Sequence, residues 1–222
     1  MQRWSHLIGV GCLAALLPAC AYQPKGLIEE HYATYKARPP EQDRVFVCSS
    51  YGCRTTTPFR FTSADIDELK KRLSPSTTKS PEAERAAVRS TLGWMERRVD
   101  KVVGTWQDRP GDDGQGNGDP TQMDCVDVAT NLSSYLLILQ RHNLLRHHEV
   151  ASVMVKEDIR RGFSGWTHYA AVLKEKGTGT PYAVDGWLMA SGEPPEIVAA
   201  DKWYINDKDL LFGTKSAVGA SG

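Results

Sequence analysis

An α+β domain is what this 222-residue sequence predicts, and three patterns carry the prediction. Helical apolar periodicity runs through residues 81–103 and again through 125–139. Two strand-like runs flank a Gly-containing turn between 166 and 187, and a second, shorter hairpin spans 44–61 with two cysteines at its tip. A chain of this length buries one core. Its 27 basic and 27 acidic residues cancel, which removes the electrostatic case for nucleic acid and for strong adsorption to anionic lipid.

The N-terminus reads as an export signal. Met1-Gln2-Arg3 is basic, residues 7–17 are apolar but too few to span a bilayer, and Leu17-Pro18-Ala19-Cys20 resembles a bacterial lipobox, with Pro18 its one departure. On that reading residues 1–20 form a lipoprotein signal peptide, and lipidated Cys20 anchors the chain to the membrane. The expected location is the periplasmic side of a bacterial envelope, at the outer membrane. An ordinary secretory signal cleaved near residues 19–21 is the alternative, and both export the chain. Residues 21–43, with Pro24, Pro39 and Pro40, read as a tether holding one short helix around 27–35. The domain is expected over 44–215, and residues 216–222 as a frayed, disordered tail.

Cys12 falls inside the removed signal. Cys48 and Cys53 flank Ser49-Ser50-Tyr51-Gly52, a turn-like spacer, and in an oxidising compartment they are expected to close a local disulfide. A metal-binding pair is the alternative, but no second pair of soft ligands stands nearby. Thr62-Ser63-Ala64-Asp65 has the form of a capping box and opens a helix to about residue 73. Ser80-Pro81-Glu82 opens a longer one, whose Val88, Leu92, Met95, Val99 and Val102 make one apolar stripe that Gly104 ends. Residues 108–120 are rich in Gly and Asp and read as a flexible, solvated loop. An EF-hand reading from Asp113 fails at Gln115 and Asp124 and lacks flanking helices.

Cys125 remains. Asp124 and Asp127 form a cap for the helix that follows, so Cys125 stands in the first turn, where free N–H groups and the helix dipole favour a thiolate and can hold an oxyanion. The structural alternative is a small buried hydrophobe. On the long hairpin, with the turn centred on residues 176 and 177, His168 and Asp185 have numbers summing to 353 and face each other. A carboxylate there fixes the imidazole tautomer and leaves the other nitrogen for a thiol. A buried His–Asp pair without chemistry is the alternative. Both faces of this hairpin are apolar, so the sheet is expected to be covered on both sides.

Asp-Cys-x-Asp at a helix start, then a hairpin bearing His, then Asp seventeen residues on, resembles the bacterial transglutaminase-like cysteine peptidases of the papain-like superfamily, over about residues 94–187. The resemblance implies a papain-like, transglutaminase-like core, its catalytic helix packed on an antiparallel sheet. It implies a catalytic triad of Cys125 as nucleophile, His168 as base and acid, and Asp185 as orienting carboxylate. The implied activity is that of an amide-bond hydrolase, a peptidase or amidase working through a thioester on a protein or peptide of the cell envelope. In periplasmic members that clip adhesins, acids at the places of Asp124 and Asp127 help bind calcium. No cofactor is otherwise required, and Val126 and Val128 depart from that subgroup. A non-catalytic transglutaminase-like binding module, or a structural envelope lipoprotein, is the reading from a different class.

Among the remaining residues, His142, His147 and His148 have spacings that do not suit zinc and read as solvated groups at a helix end. Trp166 and Trp187 are candidates for walling a cleft, and Gln122 for donating to an oxyanion. The segment after Trp187 is expected to add a strand or short helix to the sheet edge.

Overall fold

The computed structural model describes residues 26–112, 114–157 and 167–205. The signal with Cys20, Asp113, Trp166 and the 216–222 tail lie outside them. The elements are α1 (Ile28–Thr34), β1 (Arg44–Ser49), β2 (Thr55–Arg60), α2 (Ser63–Arg72), α3 (Pro81–Val103), α4 (Cys125–Arg141), β3 (His148–Glu157), β4 (Thr167–Glu175), β5 (Pro181–Asp185), β6 (Glu196–Ala199) and α5 (Ala200–Ile205). The architecture is α+β, with one antiparallel hairpin of β1 and β2 and one antiparallel sheet ordered β3-β4-β5-β6. Among the described residues no helix is long and apolar enough to cross a membrane.

Local chemistry sets the helix starts. Thr62 and Asp65 close a reciprocal capping box on α2, Ser80 Oγ accepts from Ala83 N at the head of α3, and Pro81 occupies the first turn where its missing N–H costs nothing. Gly104 ends α3 in the left-handed region, at φ 96°. The α3 stripe is buried at Val88, Leu92, Met95 and Val99, each contributing roughly 2 kcal/mol by leaving water. It stops there, because Val102 faces solvent at 64% exposure.

Helix α4 is the central element, buried around almost its whole circumference. One side packs with Ala171, Leu173 and Val184 of the sheet and with the α3 stripe in the main core. Another side is tied to β1, where the Asn131 side chain accepts from Cys48 N at 2.7 Å and donates to Cys48 O at 2.9 Å. The segment read as a tether is docked from residue 28 onward. His31 Nε2 lies 2.8 Å from Thr130 Oγ1, and Tyr32 Oη lies 2.8 Å from Ser134 Oγ, both on α4. The far face of the sheet is covered too, by Ala200 and Trp203 of α5 against Met154, Ala170, Val172 and Ala183.

The β4–β5 register differs from the sequence expectation. Ala171 pairs with Val184 and Val172 with Ala183, so partner numbers sum to 355. Gly179, at φ 72°, carries the turn, with its N–H donating to Glu175 O at 2.8 Å. His168 and Asp185 are therefore diagonal neighbours rather than directly opposed. A shift of two keeps both on one face.

Three histidines read as solvated are bound in the fold. His148 is fully buried, with Nδ1 2.9 Å from Glu84 Oε1, while His142 Nε2 meets Asp43 Oδ1 at 2.7 Å and His147 Nε2 meets Thr78 O at 3.0 Å.

Candidate functional site

Cys125 is the first residue of α4 and Asp124 is its N-cap. Asp124 Oδ1 accepts from Asp127 N at 2.9 Å, and Asp127 Oδ2 accepts from Asp124 N at 3.3 Å. The same two carboxylates hold the tip of the β1–β2 hairpin. Tyr51 N donates to Asp127 Oδ2 at 2.8 Å, Cys53 N to Asp127 Oδ1 at 2.6 Å, and Gly52 N to Asp124 Oδ2 at 3.1 Å. All four oxygens thus accept a backbone N–H, so capping and loop tethering account for both residues. Asp127 is fully buried; burial, then the neighbouring Asp124, pushes its carboxyl up to about 8, against three backbone donors that favour the charged form.

The tip itself is unusual backbone. Ser50, Tyr51, Gly52 and Cys53 all lie in the left-handed region, at φ 69°, 69°, 64° and 58°. Three of them are not glycine, a conformation that costs about 1 kcal/mol or more each. The Cys48–Cys53 disulfide closes this turn, and the Asp124 and Asp127 carboxylates fix it to the helix start. Two distant stretches of sequence thus meet beside the thiol.

That meeting forms a cleft of about 580 Å³. Its wall includes Cys125 and Asp124 from the α4 start, Tyr51 and Arg54 from the disulfide hairpin, Thr167 and Tyr169 from β4, Tyr35 after α1, and Trp187 after β5. Cys125 is half-buried and outside any disulfide; its thiol donates to Thr167 O at 3.8 Å. The Gly- and Asp-rich loop contributes Asp112, Gly114 and Asn117. It is also held to the segment before Cys125. Met123 N donates to Asp108 Oδ1 at 2.7 Å, and Gln122 is buried with Nε2 donating to Gln107 O at 3.0 Å and Oε1 accepting from Arg109 N at 3.1 Å. Gln122 spends its amide on that loop, so its donors do not serve an oxyanion.

His168 and Asp185 are brought together. His168 Nε2 lies 2.6 Å from Asp185 Oδ2, which also accepts from Trp203 Nε1 at 2.8 Å, and Asp185 Oδ1 accepts from Trp187 N at 3.2 Å. Burial raises the Asp185 carboxyl, but His168, then the indole and amide donors, outweigh it and hold the group below its ordinary value. The imidazole sits between two indoles, 5.0 Å from the Trp187 ring and 5.5 Å from that of Trp203. His168 Nδ1 is buried and has no hydrogen-bond partner among the described residues.

The third candidate stands apart from this pair. Strand alternation puts Thr167 and Tyr169 on the α4 side, where they line the cleft, and His168 with Ala170 and Val172 on the α5 side. Cys125 meets β4 at the Thr167 carbonyl, one residue from His168, and no hydrogen bond joins thiol and imidazole among the described residues. Trp187 bridges the two sides, stacking on His168 and lining the cleft. β4–β5 pairing ends at Ala171 and Val184, so at His168 no β5 strand pair separates the two faces.

Three contributors escaped the sequence reading: Tyr35, Tyr169 and Trp203. Each acts through a partner more than 15 positions away, which no local pattern reports.

No family model, no curated protein and no solved structure matches this chain.

Proposed function

We propose that this chain is a cysteine-dependent amide-bond enzyme with a papain-like, transglutaminase-like arrangement, exported and anchored to a bacterial envelope through Cys20, acting on a protein or peptide there. The observation that carries the reading is the orphaned His168 Nδ1. A buried ring nitrogen without a partner costs about 1–3 kcal/mol, and this one belongs to an imidazole already oriented by Asp185, one residue from the carbonyl that receives the Cys125 thiol. A thiolate is the partner the geometry lacks.

For the reaction, Cys125 Sγ leaves Thr167 O and swings past the end of the β4–β5 pairing to reach the imidazole, a movement this reading requires; its proton then passes to His168 Nδ1 while Asp185 holds Nε2. The thiolate attacks the substrate carbonyl, and first-turn N–H groups of α4 take up the developing oxyanion. Imidazolium protonates the departing amine, leaving a thioester. Water then gives a peptidase or amidase outcome; a second amine gives transfer. Asp124 and Asp127 serve the helix start throughout, and a calcium ion at that pair is the one metal the resemblance suggests.

One observation favours the alternative of a binding module: His168 lies on the α5 side of β4, packed between two indoles. The pH dependence of iodoacetamide alkylation, read at the Cys125 peptide by mass spectrometry in wild type and His168→Ala, separates the two. An inflection well below the ordinary thiol value of about 8.5 that rises in the variant supports the enzyme. An inflection indifferent to the variant leaves a structural His–Asp pair and a binding cleft.

A further inference from the structure

We infer that Tyr169 is a second catalytic donor of this site, its phenolic O–H hydrogen-bonding the oxyanion that forms when Cys125 attacks a carbonyl; this rests on the reading of Cys125 as nucleophile. Tyr169 and Thr167 share the face of β4 that lines the cleft with Cys125. Tyr35, arriving from the end of α1, donates its own hydroxyl proton to Tyr169 Oη at 2.7 Å. The two rings meet edge to face at a centroid distance of 5.7 Å, which fixes both. Tyr169 therefore accepts one hydrogen bond and donates none among the described residues, leaving its O–H to be directed by the bond it receives. Burial, then the Tyr169 hydroxyl and the charges of Cys125 and Asp124, push the Tyr35 phenol above its ordinary value, so Tyr35 keeps the proton it donates to Tyr169.

The sequence candidate for this task, Gln122, is committed to the 107–109 backbone. First-turn N–H groups supply one side of an oxyanion site, and a carbonyl oxygen has a second lone pair to satisfy. In the attack step Sγ bonds to carbon, the carbonyl π pair moves to oxygen, and Tyr169 donates without giving up its proton. The tetrahedral species then collapses and expels the leaving group.

Two small probes separate this role from packing. Alkylation by iodoacetamide is a displacement at a saturated carbon and forms no oxyanion; acylation by p-nitrophenyl acetate forms one before releasing p-nitrophenolate. Both products are read at the Cys125 peptide of the full chain. Tyr169→Phe, which keeps the ring, is expected to slow acylation at least tenfold while alkylation changes less than twofold. Tyr35→Phe, which leaves Tyr169 intact but undirected, is expected to slow acylation by a smaller factor in the same direction. Equal loss in both reactions, or loss in neither, overturns the inference. A wild-type thiol that alkylates but does not acylate overturns it alone, whereas a wild-type thiol inert to both probes removes the proposed function and this inference with it.

Discussion

His168 and Asp185 are joined Nε2 to Oδ2 at 2.6 Å although they sit two positions out of register across the β4–β5 hairpin. The diagonal reach leaves the carboxylate room to accept two further donors, the Trp203 indole and the Trp187 amide. Asp185 therefore holds the tautomer of His168, anchors α5 to the sheet, and fixes the turn that carries Trp187 into the cleft.

Asp185→Asn tests whether that carboxylate serves chemistry as well as packing. An amide offers one acceptor oxygen where three donors converge, so the imidazole either loses its partner or turns its tautomer and puts a proton on Nδ1. Stability is expected to fall by about 1–3 kcal/mol, and neutral-pH alkylation of Cys125 to slow by at least tenfold as the thiol inflection rises. Denaturant unfolding and the alkylation profile measure the two effects. A stability loss with an unchanged profile would assign the pair to the fold alone.

Trp203→Phe keeps an aromatic ring against His168 and in the α5 cluster but deletes the N–H to Asp185. About 1–2 kcal/mol of stability should go with it. The pH direction follows from the same bond. Asp185 is held below its ordinary value, so its contribution is present above the unfolded value of about 4 and is lost as pH falls through the folded one. With one lowering donor gone, acid unfolding should begin at a higher pH, as a circular dichroism titration reads directly.

Opening the Cys48–Cys53 bridge should release the left-handed run from Ser50 to Cys53 that the α4 carboxylates hold. Loop-closure entropy for so short a ring gives about 2 kcal/mol. Hydrogen exchange at the amides of Tyr51, Gly52 and Cys53 is expected to accelerate under reductant far more than in α3, because these are the donors that tie the hairpin tip to Asp124 and Asp127. Uniform acceleration would mean that the bridge supports the whole domain rather than this wall of the cleft.

Three carboxyls set an opposite pH trend near neutrality. Burial pushes Glu96 up to about 8, burial and then Asp112 push Asp108 up to about 7, and Asp127 is pushed up to about 8. Each binds a proton in the folded state that the unfolded chain has released, so stability falls as pH rises from about 4 towards 8. With Asp185 acting below that window, the melting temperature should peak in mild acid, near pH 4–5. Asp108→Asn keeps an oxygen for Met123 N and removes one titration, so it should narrow the difference in melting temperature between pH 4.5 and 7.5.

These predictions draw unequally on what the sequence discloses. Caps at Thr62, Ser80 and Asp124, the stop at Gly104 and the Cys48–Cys53 bridge were legible because each is settled within a few residues. The shared face of His168 and Asp185 was legible too, since strand period is two and a register error of two preserves it. The register itself was not, because Gly177 and Gly179 both suit a turn and only Gly179 takes positive φ. Nor was the opposition of His168 and Cys125 across β4, or the arrival of Tyr35 from a segment that reads as a tether. Those depend on which face of the sheet α4 and α1 choose.

Glu84 supplies the contrast that makes the site predictions interpretable. It is fully buried in the first turns of α3 and accepts from the backbone N–H groups of Arg146, His147 and His148 and from His148 Nδ1. Arg85 Nη1 lies 3.2 Å from His148 Nε2. Burial raises the Glu84 carboxyl, but His148 and the backbone donors outweigh it and hold it below its ordinary value. Glu84→Gln places an NH2 among donors and should cost about 3 kcal/mol, lowering the melting temperature by roughly 6–12 °C. His148 pairs with Glu175 at one end of β4, while the cleft meets Thr167 at the other. The alkylation inflection of Cys125 should therefore stay where it is in Glu84→Gln while it moves in Asp185→Asn. A shift in both would mean that thiol reactivity tracks global stability and not the imidazole.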